Sequence, residues 1–389
     1  MNLHEEWLER SAQIYVHIPF CARKCLYCDF LSFPSSTEIR EQYVAALIRQ
    51  IRSFADPSDL PVRSVFFGGG TPSLLAGEEI RRLMHALRDT FPFTKRAEIS
   101  MECNPGTVDE RKLADFRSAG ISRLSMGLQS MDDEQLRLLG RIHTRETFLE
   151  SYALARKAGF DNINIDLMYG LPGQNAASWK RTLQETLSLQ PQHISAYSLI
   201  VEEGTPFYSR YHEADMLRKE GKDQKLLPDE EAEREMDELC RNMLSDQGLM
   251  RYEISNYALP GRECIHNIGY WTRKDYIGFG LGAASRWKGI RFRNTIVLAD
   301  YLQGDFGRKE AAVLSRRDEM EETMFLGLRL SGGISTEAFE QRFGESAETV
   351  YQEQIDQLRA QGLLCIQDGF IRLTARGRDL ATPVMAAFL

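Results

Sequence analysis

Through the first two hundred residues, short runs of alternating apolar and polar positions take turns with longer amphipathic stretches. The short runs fall at 14–18, 64–67, 97–103, 123–128, 162–168 and 193–200, and their period of two predicts strands. Helical spacing of apolar residues appears between them, at 38–54, 78–89, 144–158 and 177–187. Six strand–helix units without a hairpin signal predict parallel strands joined by right-handed crossovers. Six are too few to close an eightfold barrel. The pattern therefore predicts an α/β fold built on an open, partial (β/α)6 barrel.

The alternation inside the strands carries more. Glu98, Ser100 and Glu102 share one face and Ile99 and Met101 the other. Arg123, Ser125 and Gln129 oppose Leu124, Met126 and Leu128; Asn162, Asn164 and Asp166 oppose Ile163, Ile165 and Leu167. Helices must cover the apolar face, so the polar sets point inward. An ordinary barrel fills its interior with branched apolar side chains; here a polar cavity is expected. The strand ends converge on one face of such a fold, and each end is chemically pointed. Strand two runs into G-G-G-T-P, strand three ends at Glu102 before Asn104-Pro105, strand four at Gln129, and strand five at Asp166 before Y-G-L-P-G.

Strand one runs into the densest chemistry in the chain, Y-V-H-I-P-F-C-A-R-K-C-L-Y-C-D-F, with Cys21, Cys25 and Cys28 within eight residues. Three thiolates on one loop can hold three corners of a cubic iron–sulfur cluster and leave one iron open. Structural zinc would need a fourth ligand, usually from a second paired motif, and none follows. Inert buried thiols are the third reading. Disulfides fit poorly, because seven cysteines in 389 residues follow no secretory signal.

Composition narrows the setting. Charged residues are 27% and hydrophobic ones 43%, ordinary for a globular protein. The net charge of -8 argues against a nucleic-acid binder. No apolar run reaches the 18 or so residues that span a membrane, so at most peripheral membrane contact is expected, and the reduced cysteines point to the cytoplasm. After residue 201 the pattern loosens into a charged stretch, then a Gly-rich block at 266–285. From about residue 311 three helices and a hairpin around Gln367-Asp368-Gly369 suggest a small winged-helix-like α+β domain. It holds eight arginines and no lysine against twelve acids, so it reads as a lid or docking unit rather than a DNA reader. The expected division is 1–245, 246–310 and 311–389.

C-x-x-x-C-x-x-C after H-I-P-F, with G-G-G-T-P downstream, resembles the radical S-adenosylmethionine (SAM) superfamily. Within it the chain is similar to the branch of oxygen-independent coproporphyrinogen III oxidases and their haem-chaperone relatives, over essentially its whole length. The resemblance implies a [4Fe-4S] cluster on Cys21, Cys25 and Cys28, whose open iron binds SAM and whose electron cleaves it. It implies SAM contacts at Tyr15, Gly69, Gly70, Thr71, Glu102, Gln129, Asp166 and Arg141, the last read as lying on the helix after strand four.

Two departures select within the branch. The oxidases carry a further cysteine where this chain has Phe30, and the chaperone type carries H-N-x-x-Y-W, here His266-Asn267-Ile268-Gly269-Tyr270-Trp271. The resemblance therefore implies a chaperone that binds haem b and delivers it to respiratory haem proteins, with an electron donor and a homodimer as partners. An imidazole beside aromatics can ligate haem iron, which makes His266 a haem candidate; the alternative is a hydrogen-bonded histidine in a Gly-rich turn. Cys264, two residues earlier, is a weaker candidate. The competing function is the oxidase itself, decarboxylating the propionates of coproporphyrinogen III.

Overall fold

The computed structural model describes residues 3–55 and 60–389. Strands β1 (Ala12–Ile18), β2 (Val62–Gly69), β3 (Phe93–Cys103), β4 (Arg123–Gln129), β5 (Ile163–Tyr169) and β6 (His193–Ser198) pair in chain order, all parallel. Their outward faces form one apolar core under the helices, with Val16, Phe67, Met101, Leu124, Ile165 and Ile194 all buried. Burying each such side chain contributes about 1.5–3 kcal/mol, enough in sum to fix which face turns inward. A one-residue slip would send the carboxylates into that core.

The sheet does not stop at six strands. Among the described residues it has twelve and is mixed, and its two ends do not pair with each other. Beyond β6 lie the short antiparallel strands Asn256–Ala258 and Met250–Arg251. On the other side, Asp275–Phe279 from the Gly-rich block adds a seventh parallel strand against β1, followed by antiparallel Ala284–Trp287, Ile290–Arg293 and Lys309–Val313. Gly278 hid that strand from the pattern. It is needed because a Cβ there would lie 2.2 Å from the carbonyl oxygen of Ala284.

The last part packs helices Arg316–Gly327, Thr336–Phe343 and Gln352–Ala360 against a three-stranded sheet with its own core, centred on Met324, Ile334, Phe339 and Ile371. Its hairpin turns through Asp368 and Gly369, both at positive φ, the two-residue turn whose twist suits a hairpin. The first helix, Leu3–Leu8, clips this module to the barrel. Trp7 Nε1 donates to the Gly333 carbonyl at 3.2 Å, while Glu6 pairs with Arg63 at the start of β2.

Candidate active site at the carboxyl ends of the strands

The cysteine loop leaves β1 and is closed at its base by two backbone hydrogen bonds, Phe33 N to Pro19 O at 2.8 Å and Cys21 N to Phe33 O at 3.1 Å. Leu26 anchors it from both sides: its N–H donates to Leu139 O and its carbonyl accepts from Phe207 N, each at 3.0 Å. Arg23 adds a bond to the Gly140 carbonyl at 2.8 Å. The loop is therefore fixed before any ligand binds. All three cysteines are free and half-buried.

Two donors already point at the sulfurs. Thr71 Oγ1 lies 3.7 Å from Cys21 Sγ, and Arg141 Nη1 lies 3.5 Å from Cys25 Sγ. Among the described residues, no three His, Cys, Asp or Glu side chains converge on a single-ion site. One zinc holds its sulfurs at about 2.3 Å from a common centre, whereas a four-iron cluster seats each cysteine on a different iron. The three-cysteine donor set fits the cluster.

Arg141 is not on a helix, contrary to the sequence reading. Helix Asp133–Leu138 stops because Gly140 takes φ +75, with Gly140 N bonded to Arg137 O and Arg141 N to Leu136 O. That paired bond pattern is a Schellman ending, and it swings Arg141 back over the strands. There its Nη2 donates to the carbonyl of Gly127 and approaches Asn104 Oδ1 at 3.5 Å. Asn104 Nδ2 donates in turn to Thr71 Oγ1 at 2.8 Å. Arg141, Asn104, Thr71 and Cys21 thus form one chain of contacts across four strand ends. Asn104 stood in the sequence only as half of an Asn-Pro turn.

The other expected residues gather on the same face. Gly69, at φ +114, donates its N–H to Glu102 Oε2 at 3.0 Å. Gly70 N bonds to Ile18 O at 2.8 Å, and Thr71 N to Phe20 O at 2.7 Å, tying the Gly-rich turn to the start of the cysteine loop. Tyr15 OH is held by His17 Nδ1 at 3.0 Å, and His17 Nε2 is fixed by the Leu31 carbonyl at 2.9 Å. Asp166 accepts from Asn164 Nδ2 at 2.7 Å and from Ser125 Oγ at 3.2 Å. Gln129 sits at φ +72 beside a register shift in β4, a conformation that costs a non-glycine residue about 1–3 kcal/mol and marks functional sites.

Residues 15–186 match the radical SAM superfamily, and residues 314–380 match the HemN C-terminal domain. Proteins named heme chaperone HemW are similar over almost the entire chain. The Lactococcus lactis protein is 35% identical, covering 98% of each chain, and that of Bacillus subtilis 34%, covering 96% of this chain and 98% of its own. The chain belongs to the HemW family of radical SAM proteins. HemW of Escherichia coli is 33% identical over 97% of both chains. The solved structure of Escherichia coli coproporphyrinogen III oxidase (HemN) superposes with a TM-score of 0.81 at 25% identity, covering 99% of this chain and 92% of its own. The fold is thus the radical SAM fold in its HemN form, with a mixed sheet that does not close. The family implies a [4Fe-4S] cluster and SAM. Among the described residues of this HemW-family chain, no helix is long and apolar enough to cross a membrane.

Burial sets the electrostatics of the HemW-family site. It raises Glu102 from 4.5 to about 8, with the neighbouring Asp166 carboxylate adding to the effect. Asp166 is raised as well, first by burial. A carboxyl raised on folding stabilises the native state fully below its unfolded value of 4.5, and that contribution fades as pH climbs through about 8. The unliganded protein is therefore expected to lose melting temperature between about pH 5 and pH 8, and Glu102→Gln to flatten the decline. Thermal melts across that range check it; parallel slopes in the two proteins would count against the assignment.

His266 does not join this face. It lies on helix Ile265–Trp271, against the amino-terminal ends of β1 and β2. Its Nδ1 is bonded to Ser64 Oγ at 2.9 Å and its Nε2 to Tyr270 OH at 3.0 Å, and its ring stacks on Phe66 at 5.3 Å. Burial, with Arg123 second, holds the imidazole down at about 3, so it is neutral. The H-N-x-x-Y-W segment is a helix that floors the barrel rather than a Gly-rich turn. Cys264 is buried on the same floor, its thiol 3.7 Å from Glu98 Oε1.

Proposed function

We propose that this protein is a haem chaperone: it binds haem b together with a [4Fe-4S] cluster and SAM, and hands the haem to respiratory haem proteins. The observation that carries the reading is the near-full-length similarity to proteins named heme chaperone HemW. In this reading Cys21, Cys25 and Cys28 hold the cluster. Gly69, Gly70 and Thr71 present backbone and hydroxyl groups to the methionyl end of SAM, Glu102 and Asp166 accept from its hydroxyls, and Tyr15, Gln129 and Arg141 complete its contacts. When bound, the cluster and SAM supply one-electron chemistry at the open iron. Residence in the cytoplasm, an electron donor, a homodimer and the division at 245 and 310 belong to the same proposal.

Phe30 supports the chaperone over the oxidase, since it stands where the oxidases carry a further cysteine and is exposed at the cluster loop. The test is a pair of anaerobic assays with SAM and a reductant. Haem is expected to pass from the loaded protein to an apo haem protein, and coproporphyrinogen III to remain unchanged. Release of carbon dioxide with formation of protoporphyrinogen would establish the oxidase instead.

His266 is the proposed haem contact. To reach iron, its Nε2 must exchange Tyr270 for the metal. His266→Ala is expected to weaken haem binding about tenfold or more and, through two lost buried hydrogen bonds, to cost about 1–3 kcal/mol of stability. Haem titration and urea unfolding separate the effects. Unchanged affinity at reduced stability would leave His266 a floor residue only.

A further inference from the structure

One cation inside the barrel is used by none of the contacts described so far. Arg123 opens β4 in register with the inward-facing Ser100, and it is only 2% exposed. Among the described residues its guanidinium makes no hydrogen bond and no ion pair, and its Nε is wholly buried without a partner. The hydrogen bonds of the neighbouring polar groups run elsewhere. Glu98 Oε1 accepts from Ser100 Oγ and Ile265 N, both at 3.2 Å. Asp166 is held by Asn164 and Ser125. His193 is bonded through Nδ1 to Asn164 at 2.6 Å and through Nε2 to Tyr252 OH at 2.9 Å. Both nitrogens of His266 are also occupied.

The guanidinium is therefore left without a hydrogen-bond acceptor, and the Glu98 and Asp166 carboxylates act on it only through space. Arginine presents a planar fork of donors that matches a carboxylate with two parallel bonds, and buried donors left without an acceptor are costly. Aromatic side chains share its layer on the neighbouring strands: Phe66 stacks on His266, and Tyr15 faces Phe66 at 6.5 Å. A flat apolar ring bearing a carboxylate arm complements both features. The carboxylate of SAM is not the match, because it is proposed at the open iron and the Gly69–Thr71 turn, past the Arg123 layer by about three residues, or roughly 10 Å at 3.3 Å per residue.

We propose that Arg123 receives a propionate of haem held in the barrel, a role that rests on haem being the cargo. The experiment compares haem with haem dimethyl ester, whose propionates carry no charge, on the cluster-loaded wild type, Arg123→Gln and Arg123→Lys. Wild type is expected to bind haem at least tenfold tighter than the ester. Arg123→Gln should bind both as wild type binds the ester, Arg123→Lys should keep part of the preference, and SAM affinity should stay unchanged. Equal binding of haem and ester by wild type overturns the proposal, and that comparison needs no variant to fold. A preference that survives in Arg123→Gln, or a loss of SAM binding in place of haem binding, overturns it too. A merely structural Arg123 would move the melting temperature and leave the haem-to-ester ratio alone. Failure of wild type to bind either compound would fall on the cargo reading itself.

Discussion

Cys25→Ser is expected to abolish cluster assembly. With Cys25 gone, two thiolates remain for a cluster that needs three protein ligands, and the hard hydroxyl of serine is a poor substitute for soft sulfur. The change also removes the sulfur that Arg141 Nη1 approaches at 3.5 Å. After anaerobic reconstitution, iron and acid-labile sulfide should fall from about four per chain to near zero, and the visible absorption should disappear. SAM binding should fall with them, because the open iron is its chelation point. Cys365→Ser, in the carboxyl-terminal hairpin and far in sequence from the loop, should retain the full complement. A cluster of normal iron content in Cys25→Ser would remove that residue from the ligand set.

Gly70→Ala is expected to be nearly as damaging, by a different route. A Cβ at residue 70 would lie 2.7 Å from the carbonyl oxygen of Phe20 and 2.9 Å from its nitrogen. Both are backbone atoms, so no side chain can swing aside. Either the Gly-rich turn or the start of the cysteine loop must move, breaking Gly70 N to Ile18 O or Thr71 N to Phe20 O. Overpacking of this kind costs about 1–3 kcal/mol, and here it falls between two ligand-holding loops. SAM affinity should drop at least tenfold, with a matching fall in the urea midpoint. Gly68→Ala is the control: its Cβ would meet side-chain atoms, of Phe66 and Tyr15 at 3.0 Å and of Glu102 at 3.2 Å, and no backbone, so a milder loss is expected. Equal, small effects at both positions would mean that the two loops are not locked together as described.

What the sequence disclosed and what it withheld follow from how local each signal is. The six parallel strands were legible because a period of two is written in neighbouring residues, and the inward carboxylates because β3 and β5 alternate cleanly. The seventh parallel strand was not, since D-Y-I-G-F reads as a turn until the Ala284 carbonyl is seen against Gly278. Arg141 was rightly grouped with the site but wrongly placed on a helix, because its direction depends on the left-handed ending at Gly140. His266 was legible as a residue worth naming. Tyr270 shares its helix, but Ser64 lies on β2, and only that meeting shows that both ring nitrogens are taken. Arg123 stood in the polar set of β4 from the start. That it lacks an acceptor is a property of the folded floor, which no window of sequence contains.

The central claim is that a radical SAM fold here carries haem. Its most direct test is an anaerobic titration of cluster-reconstituted protein with haem, followed by absorbance. The account predicts saturable binding that levels off at a fixed ratio of haem to chain, with a spectrum distinct from free haem. A featureless, unsaturable rise like that of haem in buffer would contradict it.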